Sequence, residues 1–334
     1  RTEDISLPQI RQDEILVKME RAAICGTDIR ILEGKKTKDV RYPSVIGHEI
    51  CGTIFKVGAK VKNFLPGEKV AIANVIPCGA CPMCLSGMEN ACMNRMAIGY
   101  QFNGGFEEYI RIPHICIAAG NVVKLPESVS FTAGALIEPL ACCIRGLRNV
   151  GTKFNDTVLV VGAGPIGLIH TQLSKISGAR KVIVSEPNTA RREKALELGA
   201  DRAINPEAKD LTQIVKEETN GIGFDVVIVA IGVPSLVNST LKLARKGGRI
   251  CMFAGFAGTG ESCVEINTIH YNELIVCGSS AYKREDYLAA ADMVKTGRLD
   301  LDTIATHEFT LDEFAKAYEV VKSGAGLKVM IKPC

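Results

Sequence analysis

The chain has 334 residues, enough for two domains with separate cores, and its 47% hydrophobic content is that of an ordinary globular protein. A net charge of +3 spread over scattered basic residues excludes a nucleic-acid footprint, and no apolar run reaches the roughly 18 residues that a membrane helix needs. The opening Arg1-Thr2-Glu3-Asp4 carries no signal-peptide pattern, so 13 cysteines point to a reducing cytoplasm and to a small-molecule partner.

Residues 1–145 read as short strands broken by Gly, Pro and Asn, among them Glu14–Met19, Gly52–Val57 and Lys69–Ile72, the last after a Pro66-Gly67-Glu68 turn. The pattern predicts a β-rich module with few helices. Within it, Cys25-Gly26-Thr27-Asp28 and Gly47-His48-Glu49 supply a thiolate and an imidazole, donors that suit zinc. Spacing alone would not make ligands of Cys25 and His48, since a lone Cys or His is more often a packing residue. Their company in the chain is what raises them. Between them, Lys35-Lys36-Thr37-Lys38 with Arg41 is the densest basic stretch and reads as a solvated loop.

Cys78, Cys81, Cys84 and Cys92 follow, spaced C-x2-C-x2-C-x7-C. A short lobe, residues 76–95, can fold these thiolates around one tetrahedral zinc. Two disulfides or a redox C-x-x-C is the competing reading, and nothing around the cluster suggests a secreted protein. Next, Glu138 sits inside the apolar segment Gly134–Ala141, where a carboxylate is costly unless paired or metal-bound. Glu49 and Glu138 are both candidates for an acidic third ligand beside Cys25 and His48, leaving a fourth position for water or substrate. Capping the following helix is the plainer role for Glu138. Cys51, Cys116, Cys251, Cys263 and Cys277 read as small buried hydrophobes, while Cys142, Cys143 and Cys334 carry no signal. His114, His170, His270 and His307 read as structural or exposed.

Near Thr152 the pattern changes to alternating strands and helices. Strands are expected at Thr157–Val161, Lys181–Ser185, Arg202–Ile204, Phe224–Ala230, Arg249–Phe253 and Leu274–Gly278, with helices such as Ile166–Ile176, Thr189–Leu198 and Leu211–Thr219 between them. This is the signature of an α/β, doubly wound, parallel six-stranded sheet. Gly162-Ala163-Gly164-Pro165-Ile166-Gly167 is G-x-G-x-x-G between a buried strand and a helix. Gly162 allows the tight turn, Gly164 lets backbone approach a pyrophosphate at the helix N-terminus, and Gly167 allows close packing. Glu186 ends the next strand, at the separation expected of an acid that holds ribose hydroxyls, which favours NAD over NADP. Arg191 and Arg192 temper that preference: one could face the adenine, and either could help a 2′-phosphate. Helices Asp286–Lys295 and Leu311–Lys322 and a strand Lys328–Ile331 complete the chain.

The motifs together resemble the zinc-containing medium-chain dehydrogenases of the alcohol dehydrogenase superfamily, on the sorbitol, polyol and threonine branch. The matching pieces, in family order over essentially the whole chain, are Cys25-Gly-Thr-Asp, Gly47-His-Glu, the four-cysteine lobe, Gly105-Phe-Glu-Glu-Tyr, Glu138-Pro-Leu and Val161-Gly-Ala-Gly-Pro-Ile-Gly. Glu138 stands where liver-type relatives carry a cysteine ligand. The resemblance implies a GroES-like catalytic domain from residues 1–145 and 280–334, and a Rossmann NAD-binding domain, residues 146–279, inserted into it. It implies catalytic and structural zinc ions, an active site in the cleft, and a dimer or homotetramer joined through the edge strand Leu274–Gly278. Its chemistry is hydride transfer from the secondary alcohol of a small polar substrate to NAD, with Thr27 as proton relay.

Two positions depart from the family. Arg30 replaces a histidine that passes the proton outward, and a guanidinium does not titrate at working pH, so exit through ribose hydroxyls and water is expected instead. Ile31 replaces an aromatic residue typical of sorbitol dehydrogenases. Threonine and polyol phosphates remain open as substrates. The competing classes are a zinc-ribbon-like binding protein, which would leave the glycine-rich turn and Glu186 without purpose, and a zinc-free quinone reductase, which would leave Cys25, His48 and the lobe without one.

Overall fold

A computed structural model of the protein describes residues 2–208, 210–256 and 263–333. The chain divides into two compact units, Arg1–Ala141 with Ala281–Cys334, and Cys142–Ser280. Among the described residues no helix is long and apolar enough to cross a membrane. Cys334 lies outside the described residues.

The first unit is built on a seven-stranded sheet. Its path runs Ala305–Thr310, Lys328–Lys332, Ile15–Ala23, Glu49–Val57, Lys69–Ile72, Val122–Lys124, with Tyr109–Ile112 also paired to Ile15–Ala23. Ile15, Val17, Met19, Ile50, Ile54, Val70 and Ile72 are closed from solvent and form the core of this sheet. Register decides what meets at its end. Ile15–Ala23 runs antiparallel to both neighbours, with Ala23 opposite Glu49 on one side and Met330 on the other. Continuing that count by two residues sets Cys25 beside the Gly47-His48-Glu49 segment and beside Lys328. Three stretches distant in sequence thus converge because sheet pairing is periodic.

The Gly104-Gly105-Phe106 stretch explains part of a motif. It crosses under the His48 loop through Gly104 N–H to Val45 O (2.8 Å), Gly105 N–H to Gly47 O (3.0 Å) and Phe106 N–H to Ile46 O (3.1 Å). A Cβ on Gly104 would run into the carbonyl of Gly47, so backbone can lie this close only without side chains.

The second unit carries a six-stranded, all-parallel sheet in the order Arg202–Ile204, Lys181–Ser185, Thr157–Val161, Phe224–Val229, Ala244–Met252, Ile275–Gly278. Numbered along the chain, that is the 3-2-1-4-5-6 order of a dinucleotide-binding sheet. Val158, Leu159, Val160, Val226, Val227 and Ile228 are at most 1% exposed, as expected of strands covered on both faces.

Some elements depart from the expected pattern. A 14-residue helix, Ile137–Val150, begins inside the span read as β-rich. Strand Ala305–Thr310 was not anticipated, and it alternates half-buried with exposed residues without an apolar run. Cys263 is exposed and Cys277 half-buried, rather than core residues. Lys36 is half-buried against Tyr100, unlike the exposed Lys35 and Lys38 of the same loop.

Candidate metal centres and dinucleotide turn

The four-cysteine lobe hangs from a two-stranded ribbon, Val75–Ile76 with Met96–Ala97. Gly79 takes φ +73° and a short helix, Pro82–Leu85, returns Cys84 toward Cys81. The sulfurs stand 3.6 Å (Cys81–Cys84), 3.9 Å (Cys81–Cys92) and 4.0 Å (Cys78–Cys84) apart. Zinc–sulfur bonds of about 2.3 Å in a tetrahedron set sulfur–sulfur edges of about 3.8 Å. A disulfide needs about 2.0 Å. The spacing therefore fits a shared zinc and not two disulfides. The amides of Cys84 and Met93 bring Cys81 down to about 6, and those of Ala80 and Cys81 lower Cys78, so the lobe is built to hold thiolate. Desolvation pushes Cys84 up to about 12, the opposite tendency that a shared cation would offset.

The second group lies at the end of the large sheet. Cys25 is the N-cap of the helix Gly26–Leu32, in extended conformation, and His48 precedes strand Glu49–Val57. Ligand atoms of Cys25, His48 and Glu49 all lie within 4.8 Å of one another. Asp28, closed from solvent, holds two of these elements: Oδ2 accepts the Cys25 N–H (2.9 Å), and Oδ1 accepts from His48 Nδ1 (3.1 Å). A carboxylate can only accept here, so Nδ1 carries a proton and Nε2 is the ring nitrogen left to face a metal. Burial lowers the His48 pKa, but the charge and hydrogen bond of Asp28 outweigh it and hold the imidazole well above its ordinary value.

Glu49 is 1% exposed, and the Lys328 ammonium straddles its two oxygens at 2.6 Å. Glu138 is 8% exposed and lies outside the three-ligand group. Burial pushes its carboxyl up to about 7, with His48 drawing it down and Glu49 adding to the rise. One thiolate, one imidazole and one carboxylate, with no fourth His, Cys, Asp or Glu joining the group among the described residues, fit a zinc ion that keeps an open position. Thr27 is half-buried beside Cys25, and its Oγ1 accepts from Arg30 Nη2 at 3.1 Å.

In the second unit the three glycines of Gly162–Gly167 divide their work. Gly162 has φ +97°, and a Cβ on Gly167 would strike the Gly162 carbonyl. At Gly164 a Cβ would meet nothing within 4 Å, so packing within the chain does not require that glycine. Space there, at the N-cap of helix Pro165–Ile176, fits the close approach of a phosphate. Glu186 Oε2 accepts the Ala163 N–H (2.8 Å) and Oε1 the Asn188 N–H (3.0 Å), which ties the acid to the turn. Arg192 folds back on the Glu186 and Pro187 carbonyls (2.9 and 2.6 Å), and the Arg191 N–H is capped by Asn188 Oδ1.

Known proteins decide the family. The chain matches the alcohol dehydrogenase GroES-like domain over residues 11–127 and the zinc-binding dehydrogenase domain over residues 165–296. It is 31% identical to an L-threonine 3-dehydrogenase of Vibrio cholerae over 98% of this chain and 94% of that one. The chain belongs to the zinc-binding alcohol dehydrogenases. Among solved structures, a zinc-binding dehydrogenase from Sinorhizobium meliloti bound to NADP superposes with a TM-score of 0.91 at 33% identity, covering 98% of this chain and 94% of that one. Galactitol-1-phosphate dehydrogenase from Escherichia coli gives 0.88 at 27% identity over 100% and 96%.

Within this dehydrogenase, sequence reasoning quoted Asp28 but gave it no role, and it passed over Lys328 and Tyr100. Asp28 had a signal: it falls three residues after Cys25, the position from which an acid reaches back to an N-cap amide. Lys328 had none, since only the sheet register brings it to Glu49. Tyr100 lies 5.7 Å, ring to ring, from His48, and burial pushes its phenol up to about 12.

Proposed function

We propose that this zinc-dependent dehydrogenase oxidises the secondary alcohol of a small polar molecule, a polyol or a relative of one, with NAD. The observation that carries the reading is the convergence of Cys25, His48 and Glu49 within 4.8 Å. On this reading those three residues hold the catalytic zinc, Cys78, Cys81, Cys84 and Cys92 hold the structural one, and Gly162–Gly167 with Glu186 receive the dinucleotide. When bound, zinc supplies a Lewis acid and NAD the hydride acceptor.

The chain's own groups do the rest. Asp28 fixes the imidazole tautomer. Lys328 pairs with both oxygens of Glu49 and limits its swing. The Thr27 hydroxyl takes the substrate's proton while passing on its own. Arg30 already donates into that oxygen and has no basic site, so the proton continues through ribose hydroxyls and water. Thr27→Ala lowers turnover steeply on this route, whereas Arg30→Ala leaves the chemical step working. The reverse result removes it. Glu138, outside the three-ligand group, serves as a buried acid beside the metal. Zinc content of Glu49→Gln against Glu138→Gln tests that division, with only the first expected to lose catalytic zinc.

NAD is supported by the Glu186 carboxylate, which would repel a 2′-phosphate. The NADP carried by the Sinorhizobium meliloti relative speaks for the other cofactor. Paired kcat/KM values for NAD and NADP, with Glu186→Gln shifting the ratio toward NADP by about tenfold, separate the two. A panel of polyols, polyol phosphates, simple secondary alcohols and threonine, followed at the reduced nicotinamide band, tests the substrate. Threonine is kept as the second reading because of the Vibrio cholerae relative, and a polyol phosphate because of the Escherichia coli neighbour. Edge-strand exposure, 57% at Ile275 and 38% at Val276, supports a homo-oligomer joined along that edge.

A further inference from the structure

We propose that the alcohol substrate of this enzyme carries an anionic group, a phosphate or a carboxylate, held by a cationic cluster of Lys36, Arg30 and Arg95 beside the Cys25–His48–Glu49 site. The inference rests on the dehydrogenase reading and narrows its substrate class.

Position comes first. The Lys36 ammonium sits over the Tyr100 ring, 5.4 Å from its centroid, and the same ring lies 5.7 Å from the His48 imidazole. The Tyr100 ring thus touches both the ammonium and the His48 imidazole. On another side, Arg30 donates to Thr27 Oγ1 at 3.1 Å, two residues from Cys25. Both cations therefore border the place where the reacting hydroxyl must come.

Charge balance comes second. Among the described residues none of Arg30, Lys36 and Arg95 forms an ion pair with a carboxylate: Arg30 bonds Thr27, Arg95 bonds the Asn90 carbonyl at 3.3 Å, and Lys36 has only the Tyr100 face. Glu33, which caps the helix that carries Arg30, is taken by Lys35 (2.6 Å), Tyr318 (3.0 Å) and Lys322 (3.4 Å). Burial first, then repulsion from Arg30 and Arg95, lowers the Lys36 pKa, with Asp39 opposing weakly and Lys38 adding to the repulsion. Setting a half-buried ammonium near two exposed guanidinium groups costs free energy that an arriving anion returns. A cation–π contact at a half-exposed ring contributes too little to account for the arrangement by itself.

The test uses the zinc-loaded enzyme at saturating NAD. kcat/KM is measured for matched pairs: a polyol against its terminal phosphate, and a hydroxy acid against its methyl ester. The charged member is expected to win by at least about tenfold in one pair, and which pair does so tells phosphate from carboxylate. In Lys36→Gln that ratio falls by at least about tenfold, and Lys36→Arg recovers most of it. No preference in either pair, or a preference that Lys36→Gln leaves intact, overturns the proposal. So does an effect confined to the KM for NAD, which would give the cluster to the cofactor. If no alcohol turns over, the dehydrogenase reading itself has failed. Inorganic phosphate titrated calorimetrically into zinc-loaded wild type and Lys36→Gln then still reads the cluster, equal heats counting against it and loss of heat for it.

Discussion

The two thiolate sites of this dehydrogenase are built on opposite plans. The four-cysteine lobe draws all its donors from residues 78–92, and its geometry is set by glycine turns at Gly79 and Gly87 and a four-residue helix. The Cys25–His48–Glu49 site is scattered, and its donors meet because the Ala22–Ala23 end of strand Ile15–Ala23 is paired to Glu49–Ile50 on one side and Met330–Ile331 on the other. A local site can be spelled by spacing. A site that must leave room for substrate is instead hung on a rigid sheet, with its supports buried beneath it.

That contrast yields its sharpest break at Cys25. Cys25→Ser or His48→Ala removes zinc from the open site while the lobe keeps its own, and kcat/KM falls by about a thousandfold or more. Metal analysis beside steady-state kinetics checks both halves. Loss of both metals from either variant would mean that the sites are not independent. Cys81→Ser should do the converse. The lobe loses its metal, Tm drops by roughly 10 °C, and the folded fraction still turns over. Asp28→Asn sharpens the comparison further, because the lobe has no such support. Weakened orientation of His48 lowers affinity for the catalytic zinc by about 10- to 100-fold, read by competition with a chelator.

The smallest effect is a pH dependence. Glu107 follows the Gly104–Phe106 crossing, and burial pushes its carboxyl up to about 8, with Asn103 and Arg111 opposing. Its folded pKa is raised, so the fold favours the neutral form. The stabilisation is complete below the ordinary glutamate value of 4.5 and is lost as pH rises toward about 8. Metal-free protein should therefore melt several degrees lower at the top of that window than at the bottom, and Glu107→Gln should flatten the curve. A wild-type curve that rises across the window would refute this assignment.

Legibility followed the same division. Strand Thr157–Val161, the glycine turn and the four cysteines could be read from adjacent residues, because each depends on a run or a spacing. Strand Ala244–Met252 was expected only from Arg249 onward, since its first half contains Gly247 and Gly248 and lacks an apolar run. A helix after Glu138 was expected, but its 14-residue run from Ile137 to Val150 was not, since residues 1–145 read as β-rich with few helices. The bond of Asp28 to His48 and that of Lys328 to Glu49 could not be placed by pattern alone, as those partners are set by pairing across the sheet. The basic loop misled in another way. Lys36 looks like its neighbours in composition, and only the Tyr100 ring beneath it sets it apart.

Lys328 reaches Glu49 across 279 positions of chain. During synthesis the thiol and imidazole therefore emerge long before the ammonium that steadies their neighbouring acid. A growing polypeptide holds an incomplete set of groups until strand Lys328–Lys332 has docked against Ile15–Ala23.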